Sequence, residues 1–548
     1  MTPITKTCRV SGKTFLIDDY DQAFYAKMQV PLPTLCPDER QRLRLSFRNE
    51  RTLYHRKCDL CEKQIISMYS ADSPYVVYCN SCWWGDKWDA KIFGKAFDFS
   101  RPFFEQLKEL QLKVPRLALV QKNSENCDYT NHAENNRNCY LCVDSSYCEN
   151  VYYSKWMIQN KDCADSYNIE KSELCYECQY VVGGYHSFYN FLSDNNSNSA
   201  FLYNCYNCSD SFMCNGLIRK SYCVYNKQLT KEEYEAFMKT VNLGSYAQLR
   251  HFVDEYENMI QKSPKQSVIL ISENCTGDCI YQSKNVFDSF DVIYSQDCRY
   301  CYETGYAKDC FDTYESAFAC ELQYNCHGCN RSVNIQFGNV SYDVSDSLYV
   351  DLCQSSKNLF ACVGVHRSEY CILNTEYSKE EFETLKAQII DQMKKTGEWG
   401  EFFPATLSPF AYNETLAQEY FPLTAEEAKA RGYNWIDEKP EDNYQGAFIT
   451  IPDSIQDVPE DFSKQILKCE VSGKLYKIIP QELTLYKSLG LALPRRAPQQ
   501  RYLDRLKLRN PRRLWDRNCI HCKQGIRVPF EKDEQVYCNH CYTQLFHS

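Results

Sequence analysis

The stretch NCYNCSDSFMCNGLIRKSYCVYN, residues 204–226, contains the pattern that decides the fold, a cysteine that returns at short, regular steps. Cys205, Cys214 and Cys223 are nine residues apart, and polar and aromatic residues without a helical period separate them. A small side chain that recurs in this way is typical of a β-solenoid, in which buried residues stack between Asn, Asp and Ser corners. The stretch therefore predicts a solenoid in which these cysteines form one stack and act as compact core residues.

The same pattern returns 148 residues further along the chain. Cys353, Cys362 and Cys371 repeat the nine-residue steps, and residues 123–228 and 267–375 hold 11 cysteines each. We therefore expect two similar solenoid units, with tyrosines on their outer faces and the tyrosine hydroxyls in water.

Metal binding by CxxC pairs inside the solenoids is an open alternative. Residues i and i+3 of a regular strand point to opposite faces, so such a pair converges on one ion only if it lies on a turn. The structural ladder is the favoured interpretation. The pairs are Cys139/Cys142, Cys175/Cys178, Cys205/Cys208, Cys298/Cys301 and Cys326/Cys329.

A matching helix signal follows each unit. Thr230 and Ser378 are predicted N-caps, with Glu233 and Glu381 at the capping-box position. Each helix is expected to cover the open end of its solenoid, because an exposed last coil is an aggregation edge.

The two ends of the chain are also copies of one another, 461 residues apart, and each carries two CxxC pairs. Four thiolates bind Zn²⁺ and leave no coordination position for water, so we predict two structural zinc ions rather than catalytic ones; an iron site with the same geometry is the alternative. A β-hairpin between the pairs (65–78 and 525–537) is expected to bring the second pair back to the first. The predicted ligands are Cys58, Cys61, Cys79 and Cys82 in one copy, and Cys519, Cys522, Cys538 and Cys541 in the other.

Upstream of each four-cysteine group, called a finger below, residues 8–45 and 469–506 resemble the small bacterial "probable zinc-ribbon" domain family. That family's pattern is CxxCG followed by CxxCR, whereas this chain retains only Cys8 and Cys36 in the first copy and Cys469 in the second. Because two thiolates need two further ligands, these ribbons are predicted to have lost their metal.

Basic segments connect the ribbons to the fingers. The predicted helices 39–57 and 499–517 carry five arginines each at matching positions, and a phosphate-binding strip is one interpretation. The other is that the arginines pair with the middle of the chain, which is acidic because residues 39–57 and 495–517 carry +12 within a net charge of −10, or that they cap the four-cysteine module. The matching residues are Arg40, Arg44, Arg48, Arg51 and Arg56, and Arg501, Arg505, Arg509, Arg512 and Arg517.

Composition excludes several classes of protein. The 548 residues carry a net charge of −10 with 33 Cys, 43 Tyr and only 19 Gly, and neither GxGxxG nor GxxxxGK[ST] occurs. No apolar stretch approaches a secretory signal or a membrane span, so we expect a cytoplasmic protein without membrane partners, whose cysteines are thiols or metal ligands. The nine histidines form no HExxH or Cys–His signature, which argues against an enzyme.

Three further motifs extend a resemblance over nearly the whole chain: CNSCWWGDKW (79–88), FDFSRPFFE (97–105) and SPFAYNET (408–415). With them the chain resembles an uncharacterised family of Cys-rich zinc-ribbon proteins from reduced-genome bacteria. Some members are labelled CoA transferase, but this sequence lacks the glycine-rich α/β pattern that such an activity needs.

The prediction is a mainly β fold with helices, in which zinc-ribbon or treble-clef modules flank two Cys-rich β-solenoid units with helical caps. The leading functional hypothesis is a non-enzymatic zinc protein that binds RNA, DNA or a ribonucleoprotein through its basic zinc modules. The alternative is a structural or protein-interaction scaffold that uses the Tyr-rich solenoid face, and a thiol redox or transferase enzyme is third. The predicted boundaries are 1–57, 58–100, 101–228, 229–266, 267–375, 376–465, 466–518 and 519–548.

Overall fold

Two β-solenoids of parallel strands form the centre of the protein. The computed structural model describes residues 2–437, 446, 448–531 and 534–546, and for 316–322 it describes the backbone only. Neighbouring strands are twelve residues apart: Glu149 lies beside Lys161 in the first solenoid, and Lys284 beside Gln296 in the second. The predicted mainly β fold with helices and a solenoid is confirmed.

The backbone turns a corner at every third residue. Asn135, Asn138, Leu141, Asp144 and Tyr147 all have positive φ, and this period continues along both solenoids. Only Asn, Asp and Gly adopt this left-handed conformation readily, so the ladder hydrogen bonds must hold the other residue types in it. Four sides of three residues each close a coil of twelve.

The residue after each corner points into the solenoid. Cys139, Cys142, Ser145 and Cys148 are at most 2% exposed. Inward thiols donate to the carbonyl nine residues ahead, on the next coil, as Cys142 Sγ does to Val151 O at 3.1 Å and Cys139 Sγ to Cys148 O at 3.7 Å. Cysteine is therefore a small core residue that also satisfies backbone acceptors.

The expected stack of cysteines nine residues apart is wrong. Ladder neighbours are twelve apart, so Cys214 lies beside Leu202 and Cys223 beside Ser211. A step of nine residues instead moves a side chain three sides around the coil. CxxC pairs in the solenoids both point inward because a corner separates their two cysteines, and no candidate metal group among the described residues includes them.

The predicted N-cap residues and the helices that follow each solenoid are confirmed. Thr230 and Ser378 each form a capping box, and they begin the helices Lys231–Met238 and Lys379–Thr396. Each helix packs an aromatic ring on a tyrosine of the last coil: Tyr234 on Tyr222, and Phe382 on Tyr370.

The terminal modules share one order of elements: a hairpin, two helices, a second hairpin and a short helix. The N-terminal elements are Ile4–Thr7, Thr14–Ile17, Asp19–Lys27, Pro37–Leu45, Tyr54–Lys57, Gln64–Ser67 and Asn80–Trp83. The C-terminal elements are Leu467–Lys468, Leu475–Tyr476, Pro480–Leu489, Pro498–Leu508, Trp515–Asn518, Gly525–Val528 and Asn539–Phe546.

Two details of these modules differ from expectation. The basic helices end at Leu45 and Leu508, well before 57 and 517, and in the second copy Pro511 disfavours a helical conformation at Asn510. The hairpin joins Tyr54–Lys57 to Gln64–Ser67, so the first CxxC lies in its turn rather than before it. The second CxxC begins a short helix.

Each terminal module docks on the solenoid that is farther from it along the chain. Phe24 stacks on Phe311 of the second solenoid at 3.7 Å, and Tyr486 meets Tyr176 of the first at 5.5 Å. The chain therefore forms two exchanged halves, each with its own apolar core. The last coils leave room for the four-cysteine modules at Gly364 and Gly216, where an added Cβ would lie 3.3 Å from the Trp83 ring and 2.7 Å from Phe546 O.

The remaining α-helices connect these parts, and no helix among the described residues is long and apolar enough to cross a bilayer. They are Phe103–Lys113, Tyr246–Lys262, Leu416–Tyr420 and Ala425–Ala430. The first solenoid contains the strands Gln121–Lys122, Asn131–Glu134, Val143–Ser146, Glu149–Tyr152, Lys155–Ile158, Lys161–Ala164, Tyr167–Glu170, Glu173–Tyr176, Gln179–Val182, Tyr185–Phe188, Ser197–Tyr203, Ser209–Asn215 and Ser221–Val224. The second contains Ile269–Leu270, Gly277–Tyr281, Lys284–Phe287, Ser289–Ile293, Gln296–Arg299, Tyr302–Phe311, Tyr314–Tyr324, His327–Asn330, Val333–Asp351, Gln354–Phe360 and Glu369–Ile372.

Candidate metal centres and the cleft between the solenoids

Both four-cysteine groups bring their sulfurs together. In each group the four Sγ atoms lie within 4.8 Å of one another. Cys61 Sγ lies 3.8 Å from Cys79 Sγ, and Cys522 Sγ lies 3.7 Å from Cys538 Sγ. Four sulfurs at 2.3 Å from a tetrahedral ion are about 3.8 Å apart, so the spacing fits a metal ion and is far too long for a disulfide. Both groups could hold a metal ion.

The first thiol of each group is surrounded by backbone N–H donors. Burial raises the pKa of Cys58, but hydrogen bonds from the backbone of Cys79 and Cys61 outweigh burial and bring this pKa to about 7. The same contacts bring the pKa of Cys519 to about 6. Such donors stabilise the thiolate form that metal binding requires.

The segments predicted to be degenerate ribbons, 8–45 and 469–506, contribute no cysteine to a candidate metal group among the described residues. Cys36 Sγ lies 3.7 Å from the Ser11 hydroxyl, which replaces a cysteine of the resembling family's pattern. Among the described residues, no set of three or more candidate ligands includes Cys8, Cys36 or Cys469.

The predicted arginine strips lie mostly inside the protein and face the solenoids. Arg40, Arg44, Arg48, Arg501 and Arg505 are at most 4% exposed. A guanidinium in this position does not reach a phosphate at the surface, so the structure gives no support to a nucleic-acid-contacting strip. It agrees with the other interpretation, that the arginines pair with the acidic middle.

The arginines of the N-terminal copy bind carboxylates of the second solenoid and of the cleft. Arg40 Nε lies 2.7 Å from Asp312, and Arg44 Nη1 lies 3.5 Å from the same carboxylate. Arg51 lies 3.5 Å from the ring centre of Tyr502, and Arg56 pairs with Asp59 at 2.9 Å. Arg48 is paired with Glu50, Asp144 and Glu315.

In the C-terminal copy, Arg501, Arg505 and Arg509 contact the first solenoid, whereas Arg512 contacts the second. Arg501 and Arg505 lie 3.2 and 2.9 Å from Asp165. Arg509 donates to the Tyr420 hydroxyl at 3.0 Å and lies 4.1 Å from the ring centre of Tyr167. Arg512 pairs with Asp291 at 2.7 Å and with Glu303, and Arg517 donates to the carbonyls of Phe530 and Glu534.

Many tyrosines of the outer faces are buried as well. Tyr153, Tyr167 and Tyr314 are at most 3% exposed, because the docked modules and the other solenoid cover them. Tyr147 and Tyr185 remain exposed. The expectation of wet outer tyrosines is therefore right only outside the docking surfaces.

The structure also reveals a site that the sequence reasoning missed, a cleft of about 620 Å³ between the two solenoids. His132 and Asp144 from the first solenoid meet Glu315 from the second, and their ligand atoms lie within 4.8 Å of one another. The rim carries Tyr147 and Trp156.

Arg48 decides what this cluster can hold. Its guanidinium pairs with both carboxylates and donates to His132 Nδ1, so the proton of the imidazole is on Nε2. In a metal-binding histidine, by contrast, one ring nitrogen binds the metal and the N–H of the other donates to an acceptor. Arg48 therefore occupies the place of a metal ion, and the donor set does not fit one.

One sequence signal for this site exists. In this part of the two solenoids, equivalent positions are 147 residues apart, so Asp144 corresponds to Asp291 and Asp165 to Asp312. The cleft residues His132 and Glu315 correspond to Cys279 and Asn168. The cleft is therefore indicated by positions at which the two copies carry different residues, rather than by positions at which they carry the same one.

Comparison of the chain with protein-family models and with curated proteins finds no match in either. The resemblance to Cys-rich zinc-ribbon proteins stays a prediction, and the site is interpreted from its own geometry.

Proposed function

We propose that this is a zinc-containing binding protein whose recognition surface is the cleft between the two solenoids. Two structural zinc ions, one in each four-cysteine group, hold the terminal modules in shape. The modules in turn lock the solenoids side by side through their buried arginines. This is the scaffold alternative with a defined surface, and it assigns no catalytic residue.

The observation that carries the proposal is the wall of the cleft. Elsewhere along the docking surfaces, the paired arginines and acids bury one another. At the cleft, Asp144 and Glu315 share Arg48 with Glu50 and border an open cavity. Concave sites with aromatic walls and a few converging polar groups are where proteins bind small ligands.

The test is a substitution that fills the cleft. Ser146 lines the cavity, so Ser146→Trp should displace a ligand without disturbing the inward ladder. Native mass spectrometry of the purified full-length protein should show a bound species that the variant lacks. The matched control is Lys161→Trp, at an exposed position on the outside of the same solenoid. If wild type and both variants carry the same species, the cleft is not the recognition surface.

Nucleic-acid or ribonucleoprotein binding is the other candidate, and no described contact favours it now that the strips are buried. It predicts retention on heparin or RNA at low salt that weakens as salt rises. Retention of the wild-type protein that Ser146→Trp leaves unchanged would support it against the cleft.

A further inference from the structure

The ion-pair network that borders the cleft contains more carboxylates than cations, and three of these carboxylates line the cavity. Three cations and five carboxylates form one connected ion-pair network among the described residues. A buried carboxylate without a counter-charge or a hydrogen-bond donor is costly. The cations are Arg48, Lys155 and Arg512, and the carboxylates are Glu50, Asp144, Asp291, Glu303 and Glu315.

The missing charge lies at the cleft end of this network. The Asp144 side chain is only 6% exposed. Its Oδ1 pairs with Arg48, whereas Oδ2 has no hydrogen-bond donor among the described residues, and the Lys155 ammonium is 4.0 Å away. Glu315 pairs with Arg48 through Oε2, and both residues line the cavity. Burial raises the pKa of Asp144 well above its usual range despite the Arg48 guanidinium, so without a ligand this carboxyl group takes up a proton, which a bound cation has to displace.

In the other copy, the residue equivalent to Asp144 is Asp291, and both of its oxygens have hydrogen-bond donors. Asp291 accepts from the Tyr180 hydroxyl at 2.8 Å and from Arg512 at 2.7 Å. Asn168 stands there in place of Glu315, so that copy has one carboxylate fewer. Only the cleft copy combines two carboxylates with an oxygen that no donor reaches among the described residues.

We propose that Asp144 and Glu315 bind the primary ammonium group of an aliphatic chain that enters the cleft. The inference rests on the proposed binding function and names its ligand chemistry. An ammonium group brings the missing charge and three N–H donors. Tyr147 and Trp156 on the rim offer ring faces that attract cations, and their apolar surface suits a methylene chain.

Such an ammonium group belongs either to a free polyamine or to a lysine side chain. A metal ion is disfavoured because Arg48 donates to His132. A neutral ligand carries no charge with which to displace the proton that Asp144 otherwise takes up.

The test is calorimetric titration of the full-length, zinc-loaded protein with four probes at constant ionic strength: spermidine, acetyl-Ala-Lys-Ala amide, 1,8-octanediol and Mg²⁺. We expect one of the two ammonium probes to bind, and which one binds identifies the source of the group. The diol, which has a chain but no charge, should not bind. Asp144→Asn and Glu315→Gln should each weaken binding about tenfold or more, the loss of roughly one charge-assisted hydrogen bond.

Glu149→Gln is the matched control, because Glu149 is a carboxylate of the first solenoid that pairs with Arg137 outside this network and does not line the cavity, so this variant should leave affinity unchanged. Thermal unfolding of each variant separates lost binding from lost folding. Binding of Mg²⁺ alone, equal binding of the diol, or no binding of either ammonium probe would overturn the inference. If Ser146→Trp still removes a bound species in that case, the cleft function stands and only the ligand chemistry is wrong.

Discussion

The two ends of the chain carry the same arginines and bury them for different purposes. Arg40 and Arg44 bind Asp312, and their equivalents Arg501 and Arg505 bind Asp165, so the docking contact is common to both copies. Arg48 and Arg509 have diverged. The first meets three carboxylates at the cleft, and the second lies among tyrosines.

The comparison separates scaffold from site. A contact that both copies keep is explained by docking alone, because each half needs it to close. A contact present in one copy only needs a reason specific to that half. By this criterion the cleft around Arg48 is the proposed recognition surface, and substitutions at shared and at diverged contacts should have different effects.

The largest effect should come from the metal groups, which are scaffold in both halves. Cys61→Ser and Cys522→Ser should each reduce bound zinc from two ions per chain to one, measured by elemental analysis. Each should also remove hydrogen-exchange protection from its own module, because structural zinc contributes about 10 kcal/mol or more to such small domains. The solenoids should remain folded.

Cys8→Ser is the control for this experiment, since Cys8 belongs to no candidate metal group among the described residues. Four bound ions in the wild type, or a zinc loss in Cys8→Ser, would show that the degenerate ribbons still bind metal.

Next in size is the contrast between Arg48→Met and Arg509→Met. Removal of Arg48 leaves Asp144, Glu315 and Glu50 short of a counter-charge and should cost about 3–5 kcal/mol in urea unfolding. Removal of Arg509 loses a ring contact and one hydrogen bond to Tyr420, about 1–2 kcal/mol. Equal losses would mean that the two positions do the same work, and the distinction between scaffold and site would fail.

The sequence predicts the solenoids, their duplication, their caps and the two four-cysteine groups. It misses the period of three, because the cysteines occupy only some of the inward positions. Serine, asparagine, valine and glycine fill the others, as at Ser145 and Val151, and no single residue type shows the full period. The nine-residue step from Cys205 to Cys214 is a multiple of three, so the sequence shows the step but not the period of three that causes it.

The site could not be predicted for a different physical reason. His132, Asp144 and Glu315 come from two solenoids, and Arg48 comes from a module that docks across them. Their meeting depends on the exchanged docking, which the local pattern does not determine. From the sequence alone, the arginine strips are equally compatible with an exposed and with a buried position. Only the location of Asp312 and Asp165 on the docking faces shows that the arginines are buried.

A smaller effect should distinguish the two docking carboxylates themselves. Asp312 is the one carboxylate within ion-pair distance of Arg40 and Arg44 among the described residues, whereas Glu482 and Glu177 also serve Arg501 and Arg505. Asp312→Asn should therefore cost about 2–3 kcal/mol and Asp165→Asn about 1 kcal/mol in urea unfolding. A larger loss for Asp165→Asn would mean that the first solenoid depends more on this contact than its partners indicate.

The smallest expected effect is a change in pH dependence at a position where the copies differ by one charge. Asp278 accepts from Val268 N and from Asn510, each at 2.8 Å, and in the other copy Asn131 accepts from Val120 N at 3.1 Å. Burial raises the pKa of Asp278 to about 6. The folded protein then binds a proton more tightly than the unfolded chain, so the stability linked to this group is full below about pH 4 and is lost as pH rises towards 6.

Asp278→Asn places the same residue here as at Asn131 in the first solenoid and removes the carboxyl group that titrates. The variant should gain about 2 kcal/mol over wild type at pH 8, after a lost hydrogen bond to Asn510 is subtracted, and should gain nothing near pH 4. Urea unfolding across this range measures the difference, and Asp461→Asn, at an exposed position, is the control. A gain that is equal at both pH values would show that Asp278 stays ionised in the folded protein. The difference between the copies would then be one of packing, not of charge.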